Sequence, residues 1–230
     1  MKCRIITFVL FILFVCPVIL TAQDKPVCAH EKGKCCEATS FENCPAQGCG
    51  GDPELNKKKN TLKIPTSQEI QDWKISNILG MTFPALWKSG TKRTKLEEWG
   101  EGTAVRIKAF LIHAKNYASG MESCNCNLRF DQNNDYHLVL VEKKTFEEAN
   151  SVTAEISPRI REDGWTIAEF KKLAKAKTYV RVTGWMMLDT QHIKRPLKRL
   201  SNWEIHPVTK FEVCTSTVTA CEKNQGWKDL

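Results

Sequence analysis

From Lys177 to Asp189 the chain reads Lys-Thr-Tyr-Val-Arg-Val-Thr-Gly-Trp-Met-Met-Leu-Asp, and its alternation commits the region to β structure. Val180 and Val182 fall on one face while Tyr179, Arg181 and Thr183 fall on the other, the two-residue period of a half-buried strand. Gly184 interrupts that period just ahead of an apolar block, where a strand that must curve places a residue without Cβ.

The same period recurs upstream. Val105, Ile107, Ala109 and Leu111 alternate with Ala104, Arg106, Lys108 and Phe110 in a first long strand. A second runs over Leu128 to Val141, where Tyr136, Leu138 and Leu140 oppose His137, Val139 and Val141 beyond a bend at 133–135. Thr153 to Ser157 is a short third strand stopped by Pro158. Thr166 and Glu169 form a capping box for a helix to Lys175, with Ile167, Phe170, Leu173 and Ala174 as its buried stripe. The Lys177–Asp189 stretch is then the fourth strand. Trp203 to Val213 is the fifth, with Pro207 at a bulge or corner. Three strands, a helix and two strands is the order of an OB-fold-like Greek-key barrel, so the chain reads as mainly β, with one helix between strands three and four.

The barrel spans 100–214 and is preceded by three segments. Residues 1–22 carry Lys2 and Arg4 and then the apolar run Ile5–Leu20, broken by Pro17. That run is shorter than the roughly 18–20 residues of a membrane span and reads as a signal peptide cleaved after Ala22, with an uncleaved anchor as the alternative. Its removal takes two basic residues and lowers the formal charge from +8 to +6. This excess permits an anionic partner without requiring one. Residues 23–62 form a small Cys-rich segment that ends in Lys57-Lys58-Lys59, read as a solvated run in a linker. Residues 63–99 read as a linker with a short helix opened by Thr66 and Glu69, its face carrying Ile70, Trp73 and Ile78. Residues 215–230 form a C-terminal hairpin and tail.

Nine cysteines follow the leader: Cys28, Cys35, Cys36, Cys44, Cys49, Cys124, Cys126, Cys214 and Cys221. Export to an oxidising compartment makes disulfides the expectation, and the odd number leaves at least one thiol free, metal-bound or shared between chains. A zinc site with His30 is the alternative in the Cys-rich segment, although no Cys-x2-Cys pair occurs there. Cys214 and Cys221 are expected to close a hairpin. Cys124 and Cys126 are too close to bridge each other without strain, so each is expected to pair with the Cys-rich segment. Alternatively, both chelate a soft metal with His113, His137 or His206.

The runs at 48–60 (Gly-Cys-Gly-Gly-Asp-Pro-Glu-Leu-Asn and the lysines), 120–126 (Gly-Met-Glu-Ser-Cys-Asn-Cys), 182–189 and 203–208 (Trp-Glu-Ile-His-Pro-Val) together resemble a group of uncharacterised exported bacterial proteins with an OB-fold-like domain. The resemblance covers most of the mature chain. It implies the fold and an exported location, periplasmic or extracellular, and it implies no activity.

In such a barrel, ligands lie across strands two and three, framed by the loops 115–126 and 190–202. Asp135, His137, Glu155, Arg159 and His206 are the candidate catalytic residues, because carboxylates beside imidazoles orient them and tune their basicity. Arginine forks such as Arg159 and Arg161 suit phosphate oxygens, which would make a secreted metal-assisted nuclease or phosphodiesterase. That order of elements is similar in topology to the staphylococcal thermonuclease group, without that group's paired aspartates. A non-enzymatic binding module comes first in rank, holding an anionic or carbohydrate ligand such as single-stranded nucleic acid or a glycan. It would use Arg106, Lys108, Arg159, Arg161 and the cluster Lys194, Arg195, Lys198 and Arg199 for charge, with Tyr136 and Trp203 for stacking. A scaffold docked on an envelope protein is the third reading.

Overall fold

A computed structural model describes residues 38, 40–81, 93–117, 120, 122–192 and 198–230. Cys28, Cys35, Cys36, His30, Lys194 and Arg195 lie outside these. The described elements are α1 (Pro53–Thr61), β1 (Gln71–Trp73), α2 (Ile75–Leu79), α3 (Arg93–Glu98), β2 (Ala104–Asn116), β3 (Tyr136–Val141) and β4 (Val152–Ile156), followed by α4 (Ile167–Lys175), β5 (Tyr179–Leu188), β6 (Trp203–Cys214), α5 (Val218–Glu222) and β7 (Trp227–Asp229). None of the described helices is long and apolar enough to cross a membrane.

The alternating segments close on themselves. β2 pairs with β3, β3 with β4, β4 with β6 and β6 with β5, and β5 returns to β2. The β4–β6 pair is parallel and the other four contacts of the ring are antiparallel. The result is a closed five-stranded barrel, which leaves no free edge within the ring. Val105, Ile107, Leu138, Leu140, Ala154, Ile156, Val180 and Val182 fill its interior with no exposed area. Thr166 caps α4 by accepting from the Glu169 amide, and Phe170 of α4 stands edge-on to Phe211 at 4.9 Å.

Gly184 is required by packing. A Cβ there would meet the Pro207 carbonyl oxygen at 2.4 Å and Ile205 Cγ2 at 2.6 Å. The β5–β6 register shifts on both sides of it, opposite the cis His206–Pro207 bond. Gly184→Ala is therefore expected to lower unfolding free energy by about 2–3 kcal/mol, since the obstacle is largely backbone and cannot swing aside. Urea denaturation measures this, and a loss under half a kcal/mol would show that the bend is loosely packed.

Several expected boundaries move. Thr66 and Glu69 bond to each other in a turn and start no helix. The chain runs on into β1, which lies parallel to β2, and Arg106 forks onto Asp72. The helix comes later, as α2, and buries Ile75 and Ile78, with Leu96 of α3 joining the same core. The described parts of this stretch thus pack against the barrel through Trp73, Ile75, Ile78, Leu96 and Trp99. The second strand begins at Tyr136, because left-handed φ angles at Asn127 and Phe130 turn the chain before it. The C-terminal disulfide loop holds the short helix α5, and β7 then pairs with β6.

Lys57-Lys58-Lys59 belongs to α1 and is only partly a solvated run. Asp52 caps that helix through the Leu55 amide, and Pro53 opens it. Lys58 reaches Glu97 at 2.6 Å, and Lys59 reaches the buried Glu204 at 2.8 Å. Cys44–Cys126 ties the Cys-rich segment to the loop before β3, and Cys214–Cys221 closes the C-terminal loop. Cys49 is disulfide-bonded as well. Cys124 departs from the expected bridging: it is a free, buried thiol, 3.7 Å from Asp135 Oδ2.

Candidate metal centre

Strand parity assembles the site. Tyr136 and Leu138 of β3, Ala154 and Ile156 of β4, and Trp203 and Ile205 of β6 belong to the core. The residues between them therefore project from the outer face of three adjacent strands. Asp135 and His137 come from the start of β3, Glu155 from β4, and Glu204 and His206 from β6. Register places His137 opposite Glu155, and Thr153 beside Glu204. An outward face would normally be wet. This one is roofed by α1, by the turn at Ser123–Asn125 and by the chain on either side of β5 and β6, so Asp135, Glu204 and His206 are each 1% exposed.

Asp135, Glu155 and His206 each offer a ligand atom, all within 4.8 Å of one another. His206 Nδ1 is 2.8 Å from Glu155, and its Nε2 is 3.4 Å from Asp135. His137 Nε2 reaches the other Glu155 oxygen at 3.2 Å. Asn125 donates to Asp135 Oδ1 at 2.9 Å, and the Asp135 amide donates to Glu122 at 2.7 Å. Lys59 and Arg199 flank Glu204 at 2.8 and 3.4 Å. Arg199 also grips Asp189, which holds His192 Nδ1 at 2.7 Å.

Burial and Lys59 oppose a charge on the His206 ring. Asp135 and Glu155 outweigh them and raise its pKa to about 9. Burial likewise opposes the Glu155 charge, but His137 and His206 hold that carboxyl well below its usual range. Glu122 moves the other way: burial, reinforced by Asp135, pushes its carboxyl well above the usual range. Burial and Asp135 similarly keep Cys124 a neutral thiol. A carboxylate-rich pocket with an imidazole at its wall is a donor set for a divalent cation.

Two cavities open on this cluster. The inner one, about 320 Å³, is walled by Lys59, Cys124, Asp135 and Glu204. The outer one, about 440 Å³, is walled by Lys115, Tyr117, Glu148, Lys198 and Arg199. Both are lined by Glu122, His137, Glu155, Asp189 and His192. Carboxylates therefore dominate the inner half, and cations line much of the outer rim.

The structure brings together Asp135, His137, Glu155 and His206 of the sequence candidates, and it leaves the others apart. Arg159 donates to the Cys44 and Pro45 carbonyls and lies over Phe41. Arg161 lies 3.6 Å from the Tyr136 ring centroid and donates to the Asp131 carbonyl at 3.1 Å, which makes it a staple and no phosphate fork. Trp203 and Tyr136 are buried in the core, so neither can stack on a ligand. Arg106 is paired with Asp72, and Lys108 donates to the Glu222 carbonyl. His113 is exposed on β2.

Sequence reasoning missed Lys59, Asp189 and His192 as site residues. Asp-x-x-His at 189–192 was a readable local signal. Lys59 was legible only through the helix cap at Asp52-Pro53.

Neither a known protein family nor a curated protein matches the chain. Among solved structures, aspartyl tRNA synthetase from Entamoeba histolytica aligns with 66% of this chain and 26% of its own, at 14% identity and a TM-score of 0.29. The chain thus spans about a quarter of that protein, and a likeness this low carries no argument.

Proposed function

We propose that the barrel is of the OB-fold class and that the protein is an exported, metal-dependent hydrolase of a phosphoester. The ring order β2-β3-β4-β6-β5, with α4 between β4 and β5 in the chain, supports the fold assignment. The convergence of Asp135, Glu155 and His206 within 4.8 Å carries the functional reading. A cation held there would polarise a phosphoryl oxygen and acidify a bound water. Lys198 on the outer rim would meet the remaining phosphate charge, while Tyr117, half exposed and edge-on to His137, borders the space for the organic group. The disulfides favour an oxidising compartment.

A second reading, a non-enzymatic module for anionic or carbohydrate ligands, rests on the same rim of Lys115, Tyr117 and Lys198. The cations first assigned to that role on β2 are engaged by Asp72 and Glu222, so the hydrolase comes first.

Protein stripped with chelator and resupplied with magnesium, calcium, manganese or zinc is expected to cleave bis(p-nitrophenyl) phosphate with at least one ion. Asp135→Asn should lower that rate by about 100-fold or more. Absence of turnover with every ion would refute the reading.

A further inference from the structure

Building on the hydrolase reading, we propose that His192, oriented by Asp189, is the proton donor to the leaving group at the mouth of the cavity. Three imidazoles border the site, and their surroundings separate their roles. His206 is buried, with both ring nitrogens facing carboxylates. His137 has Nε2 engaged by Glu155 and packs against Tyr117. The His192 side chain is 47% exposed and lines both cavities. Its Nδ1 is taken by Asp189 Oδ2, so Nε2 is the nitrogen left to serve a bound ester.

Asp189 is itself fixed. Arg199 grips the same carboxylate, and the Gln191 amide donates to Oδ1 at 3.2 Å. An aspartate held this firmly sets the tautomer and ring plane of its histidine. The groups acting on the ring are Asp189 at the end of β5, Arg199 before β6 and Glu204 on β6. The Asp189 hydrogen bond outweighs burial and the Arg199 charge, raising the ring's pKa. The ring therefore keeps its proton above the ordinary value of about 6.5.

In the step itself, the water oxygen bonds to phosphorus as the ester P–O bond breaks. The electron pair of that bond goes to the leaving oxygen, which takes the proton from His192 Nε2. The proton given up by the water returns to the ring through solvent. Ester and water become acid and alcohol, with His192 restored.

The test compares two diesters on the full chain. Bis(p-nitrophenyl) phosphate expels a stable phenolate that needs little proton donation, whereas a thymidine dinucleotide expels an alkoxide that needs a proton. His192→Gln is expected to lose about 100-fold on the dinucleotide and far less on the nitrophenyl ester. Asp189→Asn should move the basic limb of the dinucleotide pH profile to lower pH, because the charge holding the proton is gone. Equal losses on both esters, or an unmoved limb, would overturn the dyad while leaving the hydrolase standing. Wild-type inactivity on both esters with every metal would overturn the hydrolase, and the dyad with it.

Discussion

Replacing both Cys44 and Cys126 by alanine is expected to lower unfolding free energy by about 4 kcal/mol. The two residues are 82 apart in sequence, so the bridge removes a long loop's freedom from the unfolded chain, and such loops are worth about 3–5 kcal/mol. The segment it ties down has only a small apolar core of its own. Ala38, Cys44, Cys49, Cys126 and Leu128 form a small apolar cluster separate from the barrel core. Arg159 adds hydrogen bonds to the Cys44 and Pro45 carbonyls. Asn60 donates to the Ala46 and Cys124 carbonyls, so loosening this segment also loosens α1 and the Lys59–Glu204 contact beneath it. Urea denaturation of the double variant against the parent measures the loss, and a difference under 1 kcal/mol would show that the segment is held by its packing. Cys124→Ser is the contrasting control, since that thiol is unbridged and removing it deletes no cross-link.

The barrel was legible because its strands are long enough for the period of two to survive, and because the features that bend them are local. Gly184 and Pro207 mark a bend, and Thr166 with Glu169 marks a helix start, each within a few residues. The roof was not legible for the opposite reason. α1 is built from polar residues, so its pattern has no apolar stripe to detect, and only Leu55 and Asn56 on it are buried. Lys59 turns inward, its side chain only 10% exposed, because Glu204, 145 residues away, supplies its charge partner, and a local reading of three lysines sees only solvation. The site was legible in part: Asp135 with His137, and Glu204 with His206, are visible as i, i+2 pairs on one strand face. What sequence could not supply was the covering of that face, and covering is what turns exposed polar residues into a buried, pKa-shifted cluster.

That covering sets the result expected for Glu155→Gln. The carboxylate contacts His206 at 2.8 Å and His137 at 3.2 Å, and it also helps hold the proton on Lys59. Removing its charge leaves buried cations short of an anion, and breaking one partner of such a pair costs about 3–5 kcal/mol. The metal-free variant should therefore unfold at least about 3 kcal/mol more easily than the parent. A cation bound through Asp135, Glu155 and His206 adds a second difference. At a thousandfold excess over its dissociation constant it stabilises the parent by about 4 kcal/mol, while a variant with the chelate broken should gain little. Thermal melting of both proteins, with chelator and then with each divalent ion, reads the two effects separately. A loss in chelator together with an unchanged response to metal would place the cation elsewhere. Loss of stability in chelator, with no ion stabilising the parent, would mean that the three side chains form a closed ion-pair network, in which the His206 proton occupies the position assigned to a metal.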